Sequence, residues 1–270
     1  MPGQKRHERF EQSIAALEPE ALPGAIVSVT GIPGIMRVKA DQHGFISLKL
    51  PAGLSPGVLS VTLNLTTDGW TSEPATLKVA VFDDSPGVGV ISDIDDTLID
   101  TGILHKVELL KKTFLNSSWE IKAFPEVPET LTLLAGKGTD GLPKIPLFYL
   151  SGSPWGLHSR ISDFFDRAGF PHGAMILRRY SQESIDPAKF KYPHLEEIYK
   201  AFPHKTWILL GDSGEKDPEV YAAISKAYPG HKKAEYIHIV TNEQKSSNRF
   251  AGAKVFENWS DVLQDAATEH

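Results

Sequence analysis

One stretch limits the architecture more than any other: GVGVISDIDDTL, residues 87–98. Val88, Val90 and Ile91 make a short apolar, β-branched run that ends in Asp93, Asp95 and Asp96. Such a run reads as a strand buried within a parallel sheet. In open α/β sheets ligands sit outside the carboxyl ends of the strands, so the acids stand where chemistry is usually done. Three carboxylates this close repel one another unless something positive is shared between them. A hard divalent cation meets that need, and Mg²⁺ favours one or two carboxylates plus substrate phosphate oxygens.

An isolated Asp-x-Asp is more often an acidic turn than a site. Two further stretches argue otherwise, FYLSGSP (148–154) and WILLGDSGEKD (207–217), both apolar strands that end in hydroxyls or acids. From residue 88 strands alternate with helical patterns, the βαβ texture of a parallel sheet. Pro128 opens a helix through Leu131 and Leu134 to Gly136. Ser153 as N-cap and Pro154 as first helical residue start a helix with the stripe Leu157, Ile161, Phe164, Phe165 and Ala168, stopped at Gly169. That helix start would aim backbone N–H groups at a phosphate above the sheet. Ala174–Leu177, 206–211, Tyr236–Val240 and Lys254–Phe256 read as strands. Leu195, Ile198, Tyr199 and Phe202 mark a helix that starts at YPHLEEI, Pro218 opens another through Val220 and Ile224, and 261–270 reads as a frayed helix.

Residues 21–84 have a different texture. Leu59, Val61, Leu63 and Leu65 alternate with polar partners, as do Leu77, Val79 and Val81, and Val27 and Val29. Period-two alternation with turn signals at 31–34, 41–44, 53–57 and 67–70 predicts antiparallel strands in a small all-β sandwich. Residues 1–20 read as a polar arm with a short helical turn at Ser13–Leu17. Asp83, Asp84 and Ser85-Pro86-Gly87 read as a solvated linker rather than as metal ligands. The expected division is therefore an arm (1–20), a β-sandwich-like domain (21–84) and a catalytic domain (88–265).

The order Asp-x-Asp-x-Thr, strand-end Ser, Lys, then Gly-Asp-x-x-x-x-Asp resembles the haloacid dehalogenase (HAD-like) superfamily of phosphohydrolases. The wording ISDIDDT, FYLSGSPW and LLGDSGEKDPEVY resembles, more closely, the Mg²⁺-dependent atypical phosphatidate phosphatase family first known from actin patches. The resemblance covers residues 88–245. It implies a HAD-like Rossmannoid α/β parallel sheet flanked by helices, and phosphoryl transfer through an aspartyl-phosphate that water then hydrolyses. Asp93 would be the nucleophile. Asp95 would protonate the leaving alkoxide and then activate water, its backbone carbonyl serving the metal. The superfamily's lysine falls on Lys191 or Lys189, and Lys191 is preferred because it directly precedes YPHLEEI as in relatives. The metal set is Asp93, Asp95, Asp212 and Asp217, with Asp217 open to the rival reading of a helix cap before Pro218.

Around these acids the remaining candidates are read from their positions. Ser151 ends a strand, where a hydroxyl can donate to a phosphoryl oxygen. A serine nucleophile is the rival idea, but no histidine lies beside it, and His158 reads as a surface residue of the next helix. Gly152 and Ser153 offer backbone donors, and Thr97 braces the acidic loop. Asp96 reads as a solvent-facing residue or as support behind the reacting acids, and Ser213 as support behind the ligands. Arg178 and Arg179 follow a strand, where a guanidinium can clamp phosphate, unless one pairs with Glu183. Trp155 either lines an apolar path or simply packs. The basic segment HKVELLKKTFLN (105–116) reads as a solvated face, or as a cap bringing His105 or Lys106 to an anionic substrate.

Composition narrows the partners. A net charge of −6 argues against a general nucleic-acid binder. With no cysteine, oxygen ligands remain for a metal. No stretch approaches the roughly 20 apolar residues that span a bilayer, and the charged N-terminus lacks a signal-peptide core. The expectation is a cytoplasmic protein, peripheral at membranes if its substrate is a phospholipid. The alternatives are the same chemistry on a soluble phosphomonoester, or a non-catalytic binding protein whose β-domain recruits a partner.

Overall fold

The computed structural model describes residues 21–33, 36–51, 53–67, 69–99, 122–179 and 182–269. The polar arm, its helical turn at Ser13–Leu17 and the basic segment 105–116 with His105 and Lys106 lie outside the described residues. The chain divides into two compact units, Met1–Asp83 and Asp84–His270.

The first unit is built on one antiparallel sheet. Its strands are β1 (Ile26–Thr30), β2 (Met36–Lys39), β3 (Gly57–Thr67), β4 (Trp70–Thr71) and β5 (Ala75–Val81). The order is β2-β1-β3-β4, and β5 also pairs with the long β3. The alternating residues do form one apolar face: Val27, Val29 and Val61 are buried, with Leu59, Leu63, Leu65 and Val79 packed against them. Where a sandwich would put a second sheet, Ile46, Leu48 and Leu50 of an unpaired segment cover this core. Leu77 lies opposite Val61 yet stays exposed, as does Trp70 on β4.

Among the described residues the second unit carries six parallel strands, β6 (Gly87–Ser92), β7 (Leu147–Pro154), β8 (Ala174–Arg178), β9 (Lys205–Asp212), β10 (Lys232–His238) and β11 (Lys254–Phe256). Their spatial order is β11-β10-β9-β6-β7-β8. The chain thus builds outward from β6 through β7 to β8, then returns to the other side of β6 with β9. The carboxyl ends of β6 and β9 flank the point where the winding reverses, the usual ligand crevice of such sheets.

Helices α1 (Val127–Ala135), α2 (His158–Ala168), α3 (Pro187–Ala201), α4 (Asp217–Ala227) and α5 (Trp259–Glu269) flank the sheet. Phe190, Leu195 and Ile198 of α3 and Val220 and Ile224 of α4 bury Ile91, Leu150, Trp207, Leu209 and Ile237 of the strands. On the other face Tyr149 meets Phe165 of α2 edge-on. Gly89 sits opposite Trp207, and a Cβ there would come within 2.3 Å of the indole ring. The centre of the sheet is therefore closed by a glycine under a tryptophan.

Three sequence expectations change. β7 continues through Ser153 to Pro154, and α2 starts only at His158 with no side-chain cap, so Ser153 is not an N-cap. A register shift between Ser151 and Pro154 against β8 carries the chain past the expected boundary. Helix α3 starts at Pro187, where the Asp186 side chain accepts from the Ala188 N–H, and it absorbs Pro193 in its interior. Helix α5 is docked, not frayed: Trp259, Val262 and Ala266 are all buried.

Candidate active site

The acids of the first motif leave β6 at its carboxyl end. The Asp93 N–H donates to Leu210 O at 2.9 Å, which ties the start of the loop to β9. The loop then closes on itself: the Leu98 N–H donates to Ile94 O and the Asp96 N–H to Ile99 O. Asp96 takes the left-handed conformation with φ 57°. It is buried, not solvent-facing, and its carbonyl meets His238 Nδ1 at 2.9 Å. Trp259 Nε1 donates to Thr97 O at 3.1 Å, so the docked last helix holds the loop from the outside.

Asp93 is 1 % exposed, and its two oxygens are both engaged. Oδ2 accepts from Thr97 Oγ1 at 2.9 Å and Oδ1 from Lys191 Nζ at 2.8 Å. Lys191 is completely buried and donates also to Asp217 Oδ1 at 2.5 Å, with Glu215 Oε2 at 3.6 Å. Of the two candidate lysines, Lys191 reaches the cluster and Lys189 lies exposed on α3. Lys191 stands in the second turn of that helix, not ahead of it.

Asp212 ends β9 and Asp217 opens α4. Asp212 Oδ1 accepts from the N–H groups of Gly214 and Glu215, and Asp217 Oδ2 accepts from the Asp212 N–H. Asp217 thus belongs to the buried cluster while also standing in the first turn of the helix. Gly211 leaves the space this requires, since a Cβ there would lie 2.6 Å from Asp217 Oδ2. Ser213 faces away: its Oγ accepts from the Val240 N–H and contacts Thr241.

Asp93, Asp212 and Asp217 present carboxylate oxygens within 4.8 Å of one another, all buried. Burial pushes the Asp93 carboxyl well above its ordinary value, Lys191 opposes this, and Asp217, Asp212 and Glu215 push the same way as burial. Burial would depress the Lys191 ammonium, but Asp217, Asp93 and Glu215 outweigh it and hold the charge on. One ammonium against three buried carboxylates leaves a deficit of positive charge, and an all-oxygen donor set of this kind fits a hard cation.

Asp95 is set apart from that group. Its Oδ2 accepts from Ser151 Oγ at 2.6 Å and from Ser153 Oγ at 2.8 Å. Its side chain is thus turned towards β7 and away from the other acids, which leaves untouched the expectation that its backbone carbonyl serves the metal. Burial raises its pKa, and the two serine hydroxyls and Lys191 counter part of that rise. Ser151 Oγ, expected to face a phosphoryl group, donates to Asp95 and accepts from the Ser153 N–H at 2.9 Å. Ser153's backbone donor is thus used within the loop.

Gly152 is open above its Cα, with no atom within 4 Å of a Cβ placed there. Its carbonyl accepts from Arg178 Nε at 3.1 Å, so Arg178 is buried against the serine segment. At Arg179 it is the backbone N–H that donates to Glu183. Trp155 stacks at a tilt on His158, with ring centroids 4.6 Å apart, and burial lowers the His158 pKa.

Sequence reasoning missed Glu215, His238, Trp259 and Arg249. Arg249 donates to the carbonyls of Ser213 and Glu215 and to Glu219 and Glu243, binding the 213–215 loop to α4. Only Glu215, inside the quoted GDSGEKD, carried a signal that spacing could have found.

An α/β unit with buried acids, a lysine and two serines at its strand ends is the kind of scaffold on which phosphate esters are handled. Residues 88–239 match the family described as "Phosphatidate phosphatase APP1, catalytic domain", and the chain belongs to that family. It is 29 % identical over 210 residues to phosphatidate phosphatase APP1 of Saccharomyces cerevisiae, covering 75 % of this chain and 34 % of that protein. It is also 26 % identical over 182 residues to uncharacterized protein C29B5.04c of Schizosaccharomyces pombe, covering 64 % and 29 % respectively. The chain spans about a third of the length of the curated relatives it matches.

Proposed function

We propose that this protein is a Mg²⁺-dependent phosphatase that hydrolyses a phosphomonoester through an aspartyl-phosphate, with phosphatidate as the substrate and diacylglycerol and phosphate as products. The observation that carries the reading is the separation of two kinds of acid at one crevice. Asp93 is held with Lys191, Asp212 and Asp217. Asp95 is held apart by two serines. Such a division suits a nucleophile and an acid–base with different tasks.

Asp93, Asp212 and Asp217 would hold the cation, which supplies charge to the phosphoryl oxygens and keeps Asp93 ionised. Lys191 neutralises part of the same charge and fixes the face that Asp93 presents. Thr97 holds the other oxygen of Asp93. A carboxylate oxygen of Asp93 attacks phosphorus, and Asp95 gives its proton to the leaving oxygen. Asp95 then takes a proton from the water that attacks the phosphoenzyme, returning Asp93 to its carboxylate. Ser151, the open space over Gly152 and Arg178 line the side where phosphate enters.

The lipid substrate rests on the name of the yeast relative. No helix among the described residues is long and apolar enough to cross a membrane. Our reading places the reaction at a membrane surface facing the cytoplasm, where a phospholipid presents its headgroup. The test is phosphate release from phosphatidate in mixed micelles and from soluble phosphomonoesters, with Mg²⁺ and with chelator. Mg²⁺-dependent release from phosphatidate is expected. Release only from soluble esters removes the lipid assignment, and no release from any of them removes the phosphatase.

A further inference from the structure

Ser153 is tied into the reacting groups more closely than a donor lining the phosphate would be. Its hydroxyl donates to Asp95 Oδ2 at 2.8 Å, beside the 2.6 Å bond from Ser151 to the same oxygen. Its N–H donates to Ser151 Oγ at 2.9 Å, which directs the Ser151 proton onto Asp95 as well. The residue is free for this because the helix it was expected to cap begins only at His158. The strand irregularity between Ser151 and Pro154 brings it alongside Ser151, and Arg178 fixes the intervening Gly152 carbonyl. Asp95 Oδ1, by contrast, is buried with no hydrogen-bond partner among the described residues.

We infer that Ser153 is a positioning residue that, with Ser151, occupies Asp95 Oδ2 and so leaves Oδ1 as the oxygen that delivers the proton to the leaving group. The inference rests on the phosphatase reading above. An oxygen that already accepts two hydroxyl protons is poorly placed to hold a third, so the proton of the acid form resides on Oδ1. In the first half-reaction the Asp93 oxygen bonds to phosphorus and the bond from phosphorus to the leaving oxygen breaks. Its electron pair goes to that oxygen, which takes the proton from Asp95 Oδ1. In the second, water bonds to phosphorus as Asp95 takes its proton, the bond to Asp93 breaks, and inorganic phosphate leaves. A carboxyl group free to rotate would offer the protonated oxygen only part of the time.

A general acid matters most when the leaving group is poor, and kcat/KM reports the steps through the first phosphoryl transfer. Wild type, Ser153→Ala, Ser153→Cys, Ser153→Thr and Asp95→Asn are therefore compared on phenyl phosphate and p-nitrophenyl phosphate with Mg²⁺. Ser153→Ala should lose about 10-fold or more in kcat/KM on phenyl phosphate and less than about 3-fold on p-nitrophenyl phosphate. Ser153→Cys, nearly isosteric but a weak donor, should show the same pattern if the alanine variant folds poorly. Ser153→Thr, which keeps the hydroxyl, should recover the loss on phenyl phosphate, and Asp95→Asn should show the largest discrimination. Equal losses on both esters in the folded alanine or cysteine variant, or no loss on either, overturn the inference while leaving the phosphatase intact. A wild type that releases phosphate from neither ester nor from phosphatidate overturns the phosphatase reading, and this inference with it; one that acts on phosphatidate alone is compared there, where the leaving alkoxide is poor and a folded Ser153→Ala that keeps full kcat/KM overturns the inference.

Discussion

Lys191 brings its ammonium into a fully buried site and meets Asp217 and Asp93 at 2.5 and 2.8 Å. Removing that ammonium would leave the buried carboxylates uncompensated, which commonly costs about 3–5 kcal/mol, whereas Lys191 stays paired with Asp217 when Asp93 loses its charge. Asparagine at position 93 keeps the shape and an acceptor for Lys191 but cannot attack phosphorus. Asp93→Asn should therefore lower turnover by roughly a thousandfold or more while leaving the fold intact. Residual activity near wild type would remove the aspartyl-phosphate. Asp212→Ala should instead weaken the cation's affinity by about tenfold or more, read by calorimetric titration, because one ligand is gone and repulsion among the rest is relieved. An unchanged titration would exclude Asp212 as a ligand. Asp93, Asp212 and Asp217 were legible because each stands at or near the end of a strand or start of a helix, and Lys191 through the resemblance of its sequence neighbours to those of relatives. The turn of Asp95 towards Ser151 and Ser153 was not legible, since a strand irregularity has no period to detect.

At the scale of elements, the apolar runs located every strand of the parallel sheet, and the alternation located β1, β3 and β5 but neither β2 nor β4, whose Trp70 falls in a stretch read as a turn. Helix edges were read less well. Helix α3 starts five residues ahead of YPHLEEI, where Asp186 caps it and Pro187 opens it, and α5 docks through Trp259, Val262 and Ala266, which keep helical spacing. The β6–β9 contact makes a sharp prediction. Gly89→Ala puts a methyl group into the Trp207 ring, and overpacking of this kind costs about 1–3 kcal/mol. Denaturant melts should show that loss, and an unchanged midpoint would mean the sheet can spread there. A second prediction concerns α5, where Lys254, then Tyr236, hold Asp265 below its ordinary carboxyl value of 3.8. A folded-state pKa that is depressed gives stability above the unfolded value, and this is lost as pH falls through the folded one. Both side chains are partly solvated, so Asp265→Ala should cost about 0.5–1 kcal/mol near neutrality. The difference from wild type should close as pH is lowered through about 4 and below. A gap that persists in acid would assign the loss to packing instead.

Across the whole molecule, every proposed catalytic group lies after Asp84. The linker itself is fastened to the second unit: His204 Nδ1 contacts Asp84, and Lys205 Nζ donates to Ser85 O at 2.7 Å. A truncated chain should therefore begin at Asp84, and a unit with its own core can fold alone. We expect it to hydrolyse p-nitrophenyl phosphate within about twofold of the full chain. A folded truncation that fails to do so would assign part of the catalysis to residues before Asp84. The sheet order also has a consequence in time. β6 is made first and ends up in the middle, with β9 as one of its flanks, about 120 residues later in the chain. At roughly 5–20 residues per second, synthesis exposes that side of β6 for about 6–24 s. Lys191 follows Asp93 by 98 residues, so the acids are made well before the ammonium that will neutralise them. A ribosome-bound chain stalled between the two carries an unpaired strand edge and uncompensated acids together, the state in which a nascent-chain chaperone has most to hold.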